Sequence, residues 1–187
     1  MAYTVRTVKA DEWAELRALR LRALSDPAAR IAFCDDYGLA LLQADDYWKA
    51  RAVPLSDGGA ATNLVAVDED GSWVGMLAVL DETGSRDPDR QGPDDDGGAS
   101  DRVHVVSVYV LPEDRGTGVA EDLLRGAIAW SWENTPARRI RLWVHEDNAR
   151  ALAFYLRLGF VRTGESMPFP SAPEETEHEL EIRCGTG

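Results

Sequence analysis

The sequence predicts an α/β protein, a β-sheet with helices packed against it, and three observations carry that prediction. Short runs with strand character recur along the chain, beginning with the alternating, β-branched "YTVRTV" (3–8). Stretches with helical spacing of apolar residues lie between them, giving the order βααββ-β-αβαββ. "NLVAVDEDGSWVGMLAVLDE" (63–82) joins two apolar runs through Glu69-Asp70-Gly71, a strong hairpin signal.

The elements follow in order. Asp11 is placed to cap a helix through about Leu24, with Trp13, Leu16, Leu19, Ala23 and Leu24 at roughly helical spacing. A second helix is expected over Leu39 to Ala52, after the irregular "DPAARIAFCDDYG". Residues 83–101 hold six Asp, four Gly and two Pro and nothing to pack, so they read as a mobile acidic surface loop. "RVHVVSVYVL" (102–111) has little polar alternation, as a central strand buried on both faces should. Gly118 to about Thr135 is a helix with Pro136 just beyond it, and "RIRLWV" (139–144) is another strand. Asn148 caps a helix running to about Leu158, with Gly159 at its C′ position. "FVRTG" and "EHELEIR" supply the last strands, and no internal repeat is visible.

Composition narrows the function. Residues 1–187 are expected to form one domain, with the apolar (44%) and charged (28%) fractions of a soluble globular protein. The N-terminus carries no signal-peptide pattern and no run approaches the length of a membrane span. Cys34 and Cys184 are too few for a disulfide framework, and no Cys/His spacing suggests a metal, so a reduced, cytoplasmic setting is expected. A net charge of −13 and a pI near 4.6 argue against nucleic-acid or anionic-membrane partners and mildly favour cationic small molecules.

Against that charge, "VYVLPEDRGTGVAEDLL" (108–124) encodes an anion cradle: a strand, a turn with two glycines, and a helix start. The first N–H groups of a helix have no intrahelical partner. Gly116 and Gly118 let the backbone approach a ligand closely, while the helix dipole and Arg115 add positive charge. Net charge sets the distant field; a cradle works at contact distance. A tight strand–helix connection needs the same glycines. A dinucleotide fold fits poorly, because its third glycine falls at Glu121 and four residues separate the strand from Gly116.

"RGTGVA" (115–120) matches R/Q-x-x-G-x-G/A, which resembles the pyrophosphate-binding motif of the GNAT superfamily of acyl-CoA-dependent N-acetyltransferases. "RIRLWVHEDNARALAFYLRLGFVRTGE" (139–165) resembles the same family through Asn148, Ala151, Phe154, Tyr155, Gly159 and Phe160. The resemblance is close over about 103–164 and looser from the N-terminus to Leu80. It implies a mixed central sheet of about seven strands with flanking helices, two of its parallel strands splayed apart at the acyl-CoA site. Acetyl-CoA is the implied co-substrate, with its pyrophosphate on Arg115, Gly116, Thr117, Gly118, Val119 and Ala120. Its pantetheine arm would lie along Val108, Tyr109 and Val110, near Asn148. Position 120 is Ala where Gly is commoner, and Glu121 and Asp122 would repel a phosphate unless they point away.

The resemblance further implies direct acetyl transfer to a primary amine, with Tyr155 as general acid toward the leaving thiolate. Tyr155 also suits a packing position on a buried helix face. An alkyl amine of pKa about 10.4 is only about 0.04% neutral at pH 7, a deficit of about 4.6 kcal/mol, so a proton acceptor is needed. His104, on the central strand where relatives often carry a Glu, is the first candidate, and Glu82 and water are alternatives. Asp35 and Asp36 are candidates for binding a cationic metabolite or antibiotic, with Tyr37 or Phe169 as an apolar wall. A peptide N-acetyltransferase and a non-catalytic acyl-CoA sensor remain alternatives, and homodimers are common among such proteins.

Overall fold

The computed structural model describes residues 3–84 and 100–185. The acidic stretch expected to be a mobile loop lies mostly outside the described residues. Strands β1 (Thr4–Thr7), β2 (Thr62–Val67), β3 (Trp73–Asp81), β4 (Arg102–Val110), β5 (Arg139–His145), β6 (Val161–Phe169) and β7 (Ala172–Arg183) form one sheet in the order β1-β2-β3-β4-β5-β7-β6. Helices α1 (Trp13–Leu24), α2 (Tyr37–Leu41), α3 (Asp45–Ala52), α4 (Val119–Asn134) and α5 (Ala149–Arg157) flank it. All neighbouring strands are antiparallel except β4 and β5. Among the described residues no helix is long and apolar enough to cross a membrane.

Three boundaries differ from the sequence reading. The N-terminal helix is preceded by a 3₁₀ turn over Ala10–Glu12, and Glu12, not Asp11, satisfies the entry by accepting from the Lys9 N–H at 2.8 Å. The helix expected over 39–52 is two helices: Asp36 caps the first by accepting from Leu39 N–H, and the exposed "LQA" (42–44) breaks the run before Asp45. The last two strands reach well beyond the short runs "FVRTG" and "EHELEIR" that the sequence marks. Residues 166–175 are instead the tip of a β6–β7 hairpin, with Phe169 paired to Ala172.

Helix α4 packs on the sheet through Val119, Leu123, Leu124, Ala127 and Ser131, one face at helical spacing. Gly75 on β3 permits this: a Cβ there would lie 2.9 Å from both Leu123 Cδ1 and the Tyr109 carbonyl. On α5, the Asn148 side chain caps the N-terminus through Ala151 N–H at 3.2 Å, and Gly159 takes a left-handed φ of 94° at the other end.

One backbone irregularity shapes the centre. Between Ala78↔Val106 and Met76↔Tyr109, two residues of β4, Ser107 and Val108, stand opposite Leu77 alone. This is a β-bulge, with Ser107 at φ 60°, the only non-glycine positive φ among the described residues. Pairing of β4 with β5 covers only 102–104 with 139–141. Beyond it the two parallel strands part, and the backbone groups between them have no ladder partner.

Candidate active site

Two cavities meet in this gap. One, of about 450 Å³, runs from β4 to the start of α4 and is lined by Val108, Tyr109, Val110, Arg115, Gly116, Gly118 and Ala120. The other, of about 550 Å³, opens toward the β5–β7 side and is lined by Asp35, His104, His145, Phe169 and Glu177 among others. Val108, Asn148, Ala151 and Tyr155 line both. Tyr155 therefore stands at the junction.

The first cavity contains the turn that the sequence presents as an anion cradle. Gly116 and Gly118 have φ of 86° and 101°, conformations that cost an L side chain roughly 1–2 kcal/mol. Asp122 N–H is the first in α4 to find an acceptor, Gly118 O at 3.0 Å; the N–H groups of Gly118, Val119, Ala120 and Glu121 have none among the described residues. Four donors thus point out of the helix start, a ready anion site. Thr117 turns its hydroxyl back to Asp114 O at 2.6 Å, and the Val119 side chain is fully buried, so both contribute through backbone.

Arg115 plays a different part from the one its motif position suggests. Its Nε donates to Val110 O at 3.1 Å and its guanidinium pairs with the buried Asp26 carboxylate, so its charge is largely spent within the protein. Burial would raise the Asp26 pKa, but hydrogen bonds from Ala28 N–H and Arg115 hold it below the usual carboxylate range. Unpaired cations come from α5 instead. Arg150 and Arg157 line the cavity and have no carboxylate partner among the described residues. Glu121 lines it as well, but Arg125 binds its carboxylate at 2.8 Å.

Tyr155 is 7% exposed and packs against Phe154 and Phe160. Its hydroxyl has no hydrogen-bond partner among the described residues, and burial pushes its pKa up, so it stays protonated through the physiological range. The proton a general acid would give is therefore in place.

In the second cavity the structure separates the sequence candidates. Phe169 and His104 line it; Asp36 and Tyr37 do not. Asp36 is occupied as the α2 cap, and Asp35 is bound by the buried Arg20 at 2.7 Å. His104 Nδ1 lies 3.4 Å from Glu82, which also accepts from Arg102 at 3.0 Å and Arg141 at 2.9 Å. Burial opposes ionisation of Glu82, yet the bonds from His104 and Arg141 prevail and hold its pKa at about 2. That makes it a structural anion and a poor base. The Cys34 thiol is pushed up to about 11, chiefly by burial, which does not suit a nucleophile.

Sequence reasoning missed Arg150, Arg157, His145 and Glu177. His145 Nδ1 accepts from Asp147 N–H at 3.1 Å, so Nε2 carries the proton and donates to Glu175 at 2.6 Å. Glu177 belongs to the alternation Glu175, Glu177, Glu179, Glu181 on β7, a pattern visible in the sequence as "EETEHELE". Its meaning depended on which strand lies beside it.

The family question is settled by comparison with known proteins. Residues 18–160 match the sequence profile of the Acetyltransferase (GNAT) family. The chain belongs to the GNAT family. It is 29% identical over 138 residues to the N-acetyltransferase 9-like protein of Caenorhabditis elegans; the match covers 71% of this chain and 65% of that one, less than two thirds of the relative's length. A GCN5-related N-acetyltransferase from Kribbella flavida superposes over 98% of each chain with a TM-score of 0.69 at 24% identity. NAA60 of Arabidopsis thaliana in complex with acetyl-CoA superposes over 97% of this chain and 98% of that one, with a TM-score of 0.69 at 15% identity. At these identities the two structures establish the GNAT fold, with its seven-stranded mixed sheet and flanking helices.

Proposed function

We propose that this protein is an acetyl-CoA-dependent N-acetyltransferase acting on a primary amine of a small, cationic molecule by direct attack. The observation that carries the reading is the parting of β4 from β5, which joins an anion cradle to a second cavity at Tyr155. Four unpaired N–H groups at the start of α4 would receive the pyrophosphate, with Arg150 and Arg157 available to further phosphate. The pantetheine arm would lie in the gap, where strand-edge groups lack ladder partners, bringing the thioester to the Val108–Val110 stretch. A backbone N–H there would polarise the carbonyl, and an aimed donor of that kind is worth roughly 3–4 kcal/mol in a transition state.

The amine would enter from the other side. At about 550 Å³ the second cavity falls in the size range of small-molecule sites. Nitrogen attacks the carbonyl carbon, the C–S bond breaks, and sulfur takes the Tyr155 proton. The nitrogen then loses its remaining surplus proton, which restores Tyr155. A cationic acceptor would meet Glu177 on the wall of that cavity, which Asp35 also lines while bound to Arg20.

A thermal-shift series with acetyl-CoA, CoA, propionyl-CoA, NAD and ATP tests the cradle. Ligand at 100 times its Kd adds about 2.7 kcal/mol of stability. Stabilisation by acetyl-CoA, followed by thiol release with primary amines, is the expected result. Stabilisation by NAD with none from acetyl-CoA would overturn the reading, and thiol release with peptides alone would move the acceptor class to polypeptides.

A further inference from the structure

The geometry points to Glu177 as the group that receives the acceptor's ammonium and removes its proton before attack, an inference that rests on the acetyl transfer proposed above. β5 and β7 are neighbours in the sheet and share one face. Their register sets Arg139, Arg141, Trp143 and His145 beside Arg183, Glu181, Glu179 and Glu177. Along this ladder the acids are matched one by one. Glu181 meets Arg183 at 2.6 Å and Arg139 at 3.7 Å, and Glu179 meets Arg141 at 3.5 Å. Glu175, just past its end, takes Arg30 at 2.6 Å and His145 at 2.6 Å. Glu177 alone among them has no hydrogen bond or ion pair to a described residue. Its opposite number on β5, His145, is already engaged by Glu175 and by Asp147 N–H.

Glu177 is only 8% exposed, and it is the one acid of the four that lines the acceptor cavity. Its carboxylate oxygens are not among the fully buried unpartnered atoms, so they open onto the cavity, and a largely desolvated anion with no protein partner there favours a cation. Here the missing partner is a cation that arrives from the cavity. Several charged or titratable groups face it. His145 on β5 and Cys34 in the segment before α2 act on it directly; Arg20, Asp35, Arg51, His104 and Arg141 line the same cavity; Glu175 and Glu179 sit two positions away on its own strand. β6 contributes the apolar Met167 opposite it. Burial raises the Glu177 pKa and outweighs the opposing pull of His145, whereas Glu82 is held low, so Glu177 is the stronger base of the two.

The step balances. The ammonium gives one proton to Glu177 and its nitrogen lone pair is freed to form the C–N bond as the C–S bond breaks. Glu177 later returns its proton to solvent through the cavity. The second nitrogen proton is the one that replaces the proton Tyr155 gives to sulfur.

Thiol release from acetyl-CoA, measured from pH 6 to 10 on wild type, Glu177→Gln and Glu177→Asp with a panel of alkylamines, diamines, polyamines, amino acids and aminoglycosides, tests this. Glu177→Gln should lower kcat/KM for the amine by about 100-fold at pH 7, within the usual range for a lost base. The deficit should shrink as pH approaches the amine's own pKa, where solvent supplies neutral amine. Glu177→Asp should recover part of the loss. Acetyl-CoA affinity should stay within about twofold, and the Tm of Glu177→Gln should equal or exceed that of wild type, because an unfavourably buried charge is gone. A Glu177→Gln enzyme within threefold of wild type at pH 7, or a deficit that ignores pH, or a lowered Tm with weakened acetyl-CoA binding, overturns the assignment. A wild type that binds no acetyl-CoA or turns over no amine strikes instead at the transferase reading, and the assignment falls with it.

Discussion

The two cavities that meet at Tyr155 are built on different principles. The cradle side is made of backbone: four N–H groups at one helix start, presented by two glycines that lie two residues apart. The other cavity, proposed above for the acceptor, is made of side chains drawn from α1, β4, β5, the β6–β7 hairpin tip and β7. A backbone site is local, so it leaves a short contiguous signature. A side-chain site is convergent, and its character depends on which charges cancel. On the cradle side the motif arginine turns out to be neutralised by Asp26, while the donors that matter carry no side-chain label. On the acceptor side the acids with the most inviting sequence positions, Asp35 and Asp36, are already in use, and an acid in the middle of a strand is the one left over.

The largest effect that would sharpen this contrast is expected at the junction. Tyr155→Phe removes a hydroxyl that bonds to no described residue, so fold and acetyl-CoA affinity should be unchanged. Turnover should fall by about 10²–10⁴-fold if that hydroxyl serves the leaving thiolate. Unchanged kcat in steady-state assays would return Tyr155 to a packing role.

Acid should then weaken the ion cluster of Glu82, His104 and Arg141 beside the second cavity. Glu82 is held at a pKa of about 2 against an ordinary 4.5, a depressed value, so its contribution is present above pH 4.5 and is lost as pH falls toward 2. The window corresponds to about 3 kcal/mol. In chemical unfolding between pH 5 and 2, wild type should lose stability more steeply than Glu82→Gln; parallel curves would deny the ion cluster its stabilising role.

A cradle variant should be felt on one side only. Gly118→Ala adds a Cβ that meets no atom within 4 Å, so the cost is strain, about 1–2 kcal/mol in stability. Acetyl-CoA affinity by calorimetry should drop about tenfold, with the amine KM little changed. An equal loss for both substrates would mean the cavities are not separable. Smallest of all, Ser107→Gly at the φ 60° bulge should alter stability by less than about 1 kcal/mol, relieved strain offsetting added chain entropy. A large loss would show that the Ser107 side chain, and not the bulge alone, holds β4 away from β5.

The sequence by itself determined the elements whose causes are local. Alternation marked the strands, Asn148 and Gly159 bounded α5, and the glycines of 116–118 announced a helix start able to hold an anion. It also placed Tyr155, through the spacing of the Asn148–Phe160 motif. It did not reveal the break at 42–44 within a helical-looking run, because that break answers to how α1, α2 and α3 pack. Nor did it show that "SMPFPSAPEE" is a hairpin tip, because its prolines and lack of alternation hide local pairs such as Pro168 with Thr176 and Phe169 with Ala172. Only the tertiary structure decided which charges are spent and which remain. Arg115 meets Asp26 across 89 residues, Arg141 meets Glu179 across 38, and Glu177 is left facing the cavity by the register of β7 on β5. Charge pairing is a contact property that falls off over a few ångströms, so it is fixed by register and packing and not by the order of residues along the chain.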